Sequence, residues 1–228
     1  MPPRPKSSFR VLTTRGDPAR TAPRGKLWAV APLPTADDFD LLLDADSRRV
    51  SSVHWTPRAV CHRAAELLAL QPGQRVLDVG SGVGKFCVLA SLVSAGDFFG
   101  VEQRESLVVQ ARSLACSLGS RAEFLHGDAF DLNWSTFDAL YFYNPFDEVR
   151  FAASSQIDGS IQTGSAHFDR LVARAKSRLA ELAVGTRIVT FHGMGGPMPA
   201  GFQLQAEEPI ADGSIQLWQR VLIAALPP

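Results

Sequence analysis

Leu77-Asp78-Val79-Gly80-Ser81-Gly82-Val83-Gly84-Lys85-Phe86 decides the fold, because it puts an acid at the end of an apolar stretch and three glycines in the turn after it. Gln74 to Leu77 reads as a short buried strand and Phe86 to Val93 as an apolar helix, so the glycines fall where the chain must pass tightly from strand to helix. Glycine permits positive φ and a close backbone approach at such a turn. The pattern is that of a nucleotide-cofactor loop in an α/β fold.

The loop also says which cofactor it suits. A dinucleotide site needs a third small residue for helix-on-strand packing, and the count from Gly80 and Gly82 puts Lys85 there. Asp78, two residues before the first glycine, would repel a pyrophosphate but could pair with the ammonium of a bound amino acid. S-adenosylmethionine (SAM) carries such an ammonium, and its carboxylate can take a helix N-terminus and backbone N–H groups. The reading therefore places Asp78, Gly80, Ser81, Gly82 and Gly84 around SAM.

Further strand-like segments follow in order. Phe98 to Glu102 ends in an acid 24 residues after Asp78, near the ~20 expected for a carboxylate that holds ribose hydroxyls. Glu123 to His126 leads into Gly127-Asp128-Ala129-Phe130, and Phe137 to Tyr143 runs into Asn144-Pro145-Phe146. Thr186 to Phe191 supplies a fifth strand, and Phe202–Ala206 with Ser214–Ile223 reads as a hairpin around Ala211-Asp212-Gly213. Ligands of open parallel sheets bind beyond the carboxyl ends of the strands, where these motifs fall.

On these residues the chain resembles the class I, seven-strand SAM-dependent methyltransferases. The resemblance implies a doubly wound, Rossmann-like α/β sheet with an N-terminal extension, and the hairpin as its last two strands. It also implies SAM as cofactor, Glu102 and Gln103 at the ribose, and Asp128 with Ala129 at the adenine. Asp78 to Gly84, Gly100-Val101-Glu102, Gly127-Asp128 with Trp134, and Asn144-x-Phe146 further resemble the non-SET histone lysine methyltransferases of the disruptor-of-telomeric-silencing (Dot-one) family, which has a second asparagine where Pro145 stands. Asn144-Pro145-Phe146 equally resembles a shortened Asn-Pro-Pro-Phe/Tyr signature of enzymes that methylate planar amines and amides. Either resemblance implies that Asn144 orients a nitrogen nucleophile and also lies against the cofactor, with Tyr143 and Phe146 walling the developing cation. An ammonium or alcohol acceptor would need a base, for which His54, His167 and His192 are available.

Composition bounds the rest. At 228 residues and 46% hydrophobic the chain suffices for one domain with a buried core. No apolar run reaches the ~18 residues of a membrane span and no secretory stretch opens the chain, so a cytoplasmic location without membrane contact is expected. Cys61, Cys87 and Cys116 lie among apolar neighbours without metal-ligand spacing, so they read as reduced core residues and no metal site is expected. Residues 1–26 carry a net charge of +6 and five prolines, leaving −6 for the remainder. We read 1–32 as a disordered basic arm and 33–228 as the methyltransferase domain. An arm on an acidic body does not favour a nucleic-acid partner.

Leu33 to Leu43 reads as a short first helix. Thr56 and Pro57 read as N-cap and first turn of the next, which would bring His54 and Trp55 near the cofactor mouth. Ser165 reads as the cap of a helix over 166–182, and the polar segment 147–164 as a lid over the acceptor. Three activities stay open: methyl transfer to nitrogen on a protein side chain or another amine, methylation of small metabolites on O or N, and a SAM-fold binding protein without catalysis. A deep pocket closed by the lid would favour a small acceptor, an open groove a macromolecule.

Overall fold

The computed structural model describes residues 36–222. The basic arm at 1–32, the start of the expected first helix and Ile223 of the expected hairpin lie outside the described residues. Three short helices, α1 (Ala36–Leu41), α2 (Ala45–Arg49) and α3 (Ser51–His54), lead into α4 (Arg58–Leu68). Strands and helices then alternate: β1 (Arg75–Val79), α5 (Lys85–Val93), β2 (Asp97–Glu102), α6 (Glu105–Ser117), β3 (Glu123–His126), β4 (Ala139–Tyr143), α7 (Ser165–Ala180) and β5 (Arg187–Phe191). A closing hairpin, β6 (Phe202–Ile210) and β7 (Gly213–Arg220), completes the chain.

The seven strands form one sheet in the order β3-β2-β1-β4-β5-β7-β6. β1 to β5 are parallel, and β7 runs antiparallel between β5 and β6. This is the Rossmann-like sheet expected from the sequence. β1, β2, β4 and β5 are buried on both faces, as parallel strands between helical layers must be. Val76, Ala139, Tyr141 and Val189 point to the layer of α4, α5 and α6, where Tyr141 stacks on Phe86 at 3.8 Å between ring centroids. Their neighbours Leu77, Leu140, Phe142 and Ile188 point to the layer of α7, with Trp134, Phe168 and Leu179.

The glycine turn fixes the spacing between these layers. Gly84, at φ +77°, lies so close to β3 and α6 that a Cβ there would stand 2.4 Å from the Phe124 ring and 2.9 Å from Ala111. The close-packing role that a dinucleotide loop gives to its third small residue thus falls on Gly84. Lys85, the next residue, turns away to Asp40 of α1 in a buried ion pair at 2.6 Å.

Several local readings are corrected. Thr56 does not cap α4: Pro57 holds the cap position without a side-chain bond, and the Thr56 hydroxyl accepts from the Tyr141 hydroxyl at 3.2 Å. Gly164, not Ser165, precedes α7, which ends at Ala180. Cys61 and Cys87 are buried, but Cys116 is exposed on α6. The hairpin turn is tighter than read, β6 continuing to Ile210 and leaving Ala211-Asp212 as the link.

Gly84→Ala should lose about 2–4 kcal/mol of unfolding free energy, from overpacking against Phe124 plus the cost of positive φ for an L side chain. Urea denaturation monitored by circular dichroism measures it. A loss below 1 kcal/mol, which is about one Gly-to-Ala propensity difference, would mean that this contact does not set the layer spacing.

Candidate active site

A cavity of about 220 Å³ opens beyond the carboxyl ends of β1, β2 and β4. β1 and β4 are the neighbours between which the strand order reverses, the place where open α/β sheets bind ligands. Gly80 and Pro145 meet across this point: a Cβ on Gly80 would stand 3.5 Å from Cβ of Pro145. The N-terminal helices close a third side, because Trp55 lies against Gly82, where an added Cβ would approach its ring to 2.4 Å. Trp55 is held there by its indole N–H, which donates to the Ser47 carbonyl at 2.8 Å.

Glu102 is the best-held acid of the site. It is buried on the cavity wall, accepting from the Arg104 N–H at 2.8 Å and the Gly82 N–H at 3.2 Å. Burial pushes its carboxyl above the ordinary range, opposed by those two N–H groups and the Arg104 charge. Gln103 lines the cavity beside it.

Asp128, Ala129 and Phe130 form the facing wall. Asp128 accepts from the Phe130 N–H at 2.9 Å and from the Arg174 guanidinium at 3.2 Å, while that guanidinium lies over the Phe130 ring at 4.2 Å. Phe130 is stacked in turn between Trp134 and Phe146. An apolar slot edged by one carboxylate results.

At the mouth, Asn144 takes φ +48°, a left-handed conformation that asparagine tolerates better than most residues. It lines the cavity and its side-chain amide makes no hydrogen bond among the described residues. Tyr143, Phe146, Phe151, His54 and Trp55 line the same cavity. The Tyr143 hydroxyl donates to the Val53 carbonyl at 3.1 Å, and burial with the nearby Asp212 charge pushes its pKa up to about 12.

The structure separates other residues from the cavity. Asp78 is buried behind the loop, where its Oδ2 accepts from the Cys87 thiol at 3.6 Å, and it does not reach the cavity wall. Burial raises its pKa to about 8, and the carboxyl expected to face an ammonium is turned to Cys87 in this structure. Ser81 packs on Gly100 instead of lining the wall. The loop N–H groups expected to hold a carboxylate are already engaged: Gly80 and Ser81 donate to Val101, Gly84 to Ser81 and Gly82 to Glu102. His54 and His167 line the cavity, whereas His192 sits over Gly213 with Nε2 3.5 Å from Asp212.

Segment 147–164 does extend over the cavity, supplying Glu148, Val149, Phe151, Ile157, Ile161 and Gln162 to its wall. The sequence reading missed Arg104 and Arg174; the first follows Glu102 by two residues, and the second lies on the same α7 face as His167 and Leu171. Among the described residues no cluster of metal-ligating side chains occurs and no helix is long and apolar enough to cross a membrane.

Comparison with known proteins agrees with this geometry. Residues 70–161 match the model of a family described as a methyltransferase domain. The chain is 33% identical over 118 residues to the 23S rRNA (uracil(1939)-C(5))-methyltransferase RlmD of Azoarcus sp., which covers 50% of this chain and 26% of that protein. It is 31% identical over 90 residues to the protein-L-isoaspartate O-methyltransferase of Cytophaga hutchinsonii, covering 39% of this chain and 37% of that one. The match thus spans about a quarter to two fifths of these relatives' lengths. An RNA methyltransferase from Salinibacter ruber, solved with S-adenosyl-L-homocysteine (SAH), superposes at a TM-score of 0.55 with 20% identity, over 75% of this chain and 95% of that one.

The strand order and residues 70–161 thus resemble a class I SAM-dependent methyltransferase domain, a class whose cofactor is S-adenosylmethionine. The residues present fit that cofactor, with a buried carboxylate for a diol and an apolar, carboxylate-edged slot for a flat purine.

The raised pKa of Asp78 sets a pH dependence for the protein without cofactor. Its carboxyl stays protonated in the folded state up to about 8 but ionises near 3.8 when unfolded, so stability falls as pH rises between these values. Asp78→Asn should flatten that fall by up to about 1.4 kcal/mol per pH unit. Denaturation midpoints between pH 5 and 8 measure it; parallel slopes in both proteins would mean that Asp78 is ionised in the fold.

Proposed function

We propose that this chain is a SAM-dependent methyltransferase that methylates nitrogen on a planar acceptor carried by RNA. The observation that carries the nitrogen reading is Asn144, which takes a left-handed backbone conformation on the aromatic-lined cavity wall and whose amide has no hydrogen-bond partner among the described residues. Its oxygen can accept a hydrogen bond from an incoming N–H and turn the lone pair toward the methyl. Tyr143, Phe146, Phe151 and Trp55 offer faces for a flat ring and for the cation that forms. Bound there, SAM supplies an electrophilic methyl on sulfonium; the chain positions the acceptor and keeps water out.

RNA is supported by the names of relatives and of the Salinibacter structure, although the sequence reading, without excluding nucleic acid, did not favour it. A protein acceptor appears in the name of the isoaspartate relative, as an O-methyltransferase, but these relatives' names give the lysine of the Dot-one resemblance no support. Carbon methylation of uracil is the chemistry in the names of the RNA relatives, but the matched regions cover only a part of those proteins. Uracil C5 becomes nucleophilic only when another nucleophile adds to the ring. Here Cys61 and Cys87 are core residues, Cys116 lies on α6, and none lines the cavity.

His54 donates from Nε2 to the Ser155 carbonyl at 2.7 Å, so in its neutral form Nδ1 keeps a lone pair for the proton an amine releases after transfer. A second reading, O- or N-methylation of a small metabolite, is favoured by the cover that 147–164 gives the cavity. Incubation with methyl-labelled SAM and separated RNA and metabolite fractions decides: label in RNA nitrogen supports the first reading, label in the small fraction the second.

Two substitutions test the residues. Glu102→Gln should weaken SAH binding by about 1.5–3 kcal/mol, the scale of a charge-assisted hydrogen bond, with the fold kept. An unchanged dissociation constant by calorimetry would remove Glu102 from the site. Asn144→Gly preserves the positive φ and deletes the amide, so it should lower the methyl-transfer rate by ~10²-fold while SAH affinity stays within about threefold. Wild-type turnover on the labelled acceptor would leave Asn144 a mere strand-end turn.

A further inference from the structure

Arg104 is nearly sealed from solvent, its side chain 5% exposed, yet it touches both the cofactor wall and the lid. Its N–H donates to Glu102, and its Nη1 stands 3.9 Å from the same oxygen. From the other end of the guanidinium, Nη2 reaches Glu148 at 2.8 Å and Nε reaches Asp158 at 3.1 Å. Glu148 and Asp158 both belong to the segment over the cavity, and both also organise it: Glu148 accepts from the Ile157 N–H at 2.7 Å, Asp158 from the Ser160 N–H at 2.8 Å. On the opposite flank the segment is held by the His54 bond to Ser155.

One guanidinium therefore answers three carboxylates in a place where charge is costly to bury. Part of that imbalance falls on Glu102, which faces the cavity. A ligand that donates hydroxyl hydrogens to Glu102 stabilises the cluster, and with it the two lid carboxylates bound to Arg104. Resting on the methyltransferase reading above, we propose that Arg104 is a positioning residue that couples occupancy of the cofactor's ribose site to closure of segment 147–164 over the acceptor. Cofactor binding firms the lid, and the closed lid retains the cofactor by the same factor, since coupling between two equilibria is reciprocal.

Hydrogen exchange over 147–164, with and without SAH, tests this in the wild-type protein, Arg104→Lys and Asp158→Asn. Lysine keeps the charge but cannot span three carboxylates. Asp158 is part-exposed, so its substitution spares the core. In the wild type, saturating SAH should slow exchange across the segment by ~10-fold, within the usual range of such couplings. Both variants should lose most of that slowing at full SAH occupancy and bind SAH ~3–10-fold more weakly, by a faster dissociation rate. Equal slowing in the variants, or SAH binding to the wild type without any change over 147–164, would overturn the coupling alone. Failure of the wild type to bind SAH would overturn the methyltransferase reading, and the coupling with it.

Discussion

Close packing around the glycine turn at 80–84 is the constraint on which the rest of the molecule depends. Four separate parts of the chain meet it where side chains would stand: Trp55 on Gly82, Phe124 and Ala111 on Gly84, and Pro145 beside Gly80. Each contact brings one functional wall into place. Trp55 carries His54 with it, Phe124 seats the strand before Asp128, and Pro145 sets the neighbouring Asn144. Positive φ at Gly80, Gly82 and Gly84 makes the turn possible, and the absence of Cβ atoms lets these walls converge.

This explains what could be read from the sequence. Strand ends were legible because each is an apolar run closed by a polar residue or glycine, and the order of those ends fixes a parallel sheet with a cavity at its carboxyl edge. Glu102, Gln103, Asp128, Ala129 and Asn144 line that cavity. Asp78 shows the limit. β1 is buried on both faces, so alternation of apolar and polar residues does not reveal which way each side chain turns, and its acid faces Cys87. The caps failed for a related reason: Thr56 had a better partner in Tyr141, 85 residues away in sequence.

Lys85 and Arg104 illustrate the same point for charge. Beside a glycine loop a lysine reads as an obstacle, and in the fold it is indeed unavailable to the cavity, yet its partner Asp40 lies 45 residues upstream. Arg104 follows Glu102 by two residues, but its partners Glu148 and Asp158 lie 44 and 54 residues downstream in a segment whose composition announced only a long polar loop. Pairs of this kind leave no local pattern, because their distance along the chain is unrelated to their distance in space.

The N-terminal helices belong to the site as much as to the scaffold. Asp40 binds the Lys85 ammonium with one oxygen and the Ser51 hydroxyl with the other, so α1 is tied both to the first residue of α5 and to α3. α3 leads into Trp55, whose ring covers Gly82, and into His54, which bonds the lid. The lid is thus gripped from two directions, by His54 on the side of these helices and by Arg104 on the side of β2. Because Glu102 accepts from both Gly82 and Arg104, the glycine turn and the lid contact meet on one carboxylate. A change in that residue's partners would therefore reach both the turn beside Pro145 and the segment that lines the cavity.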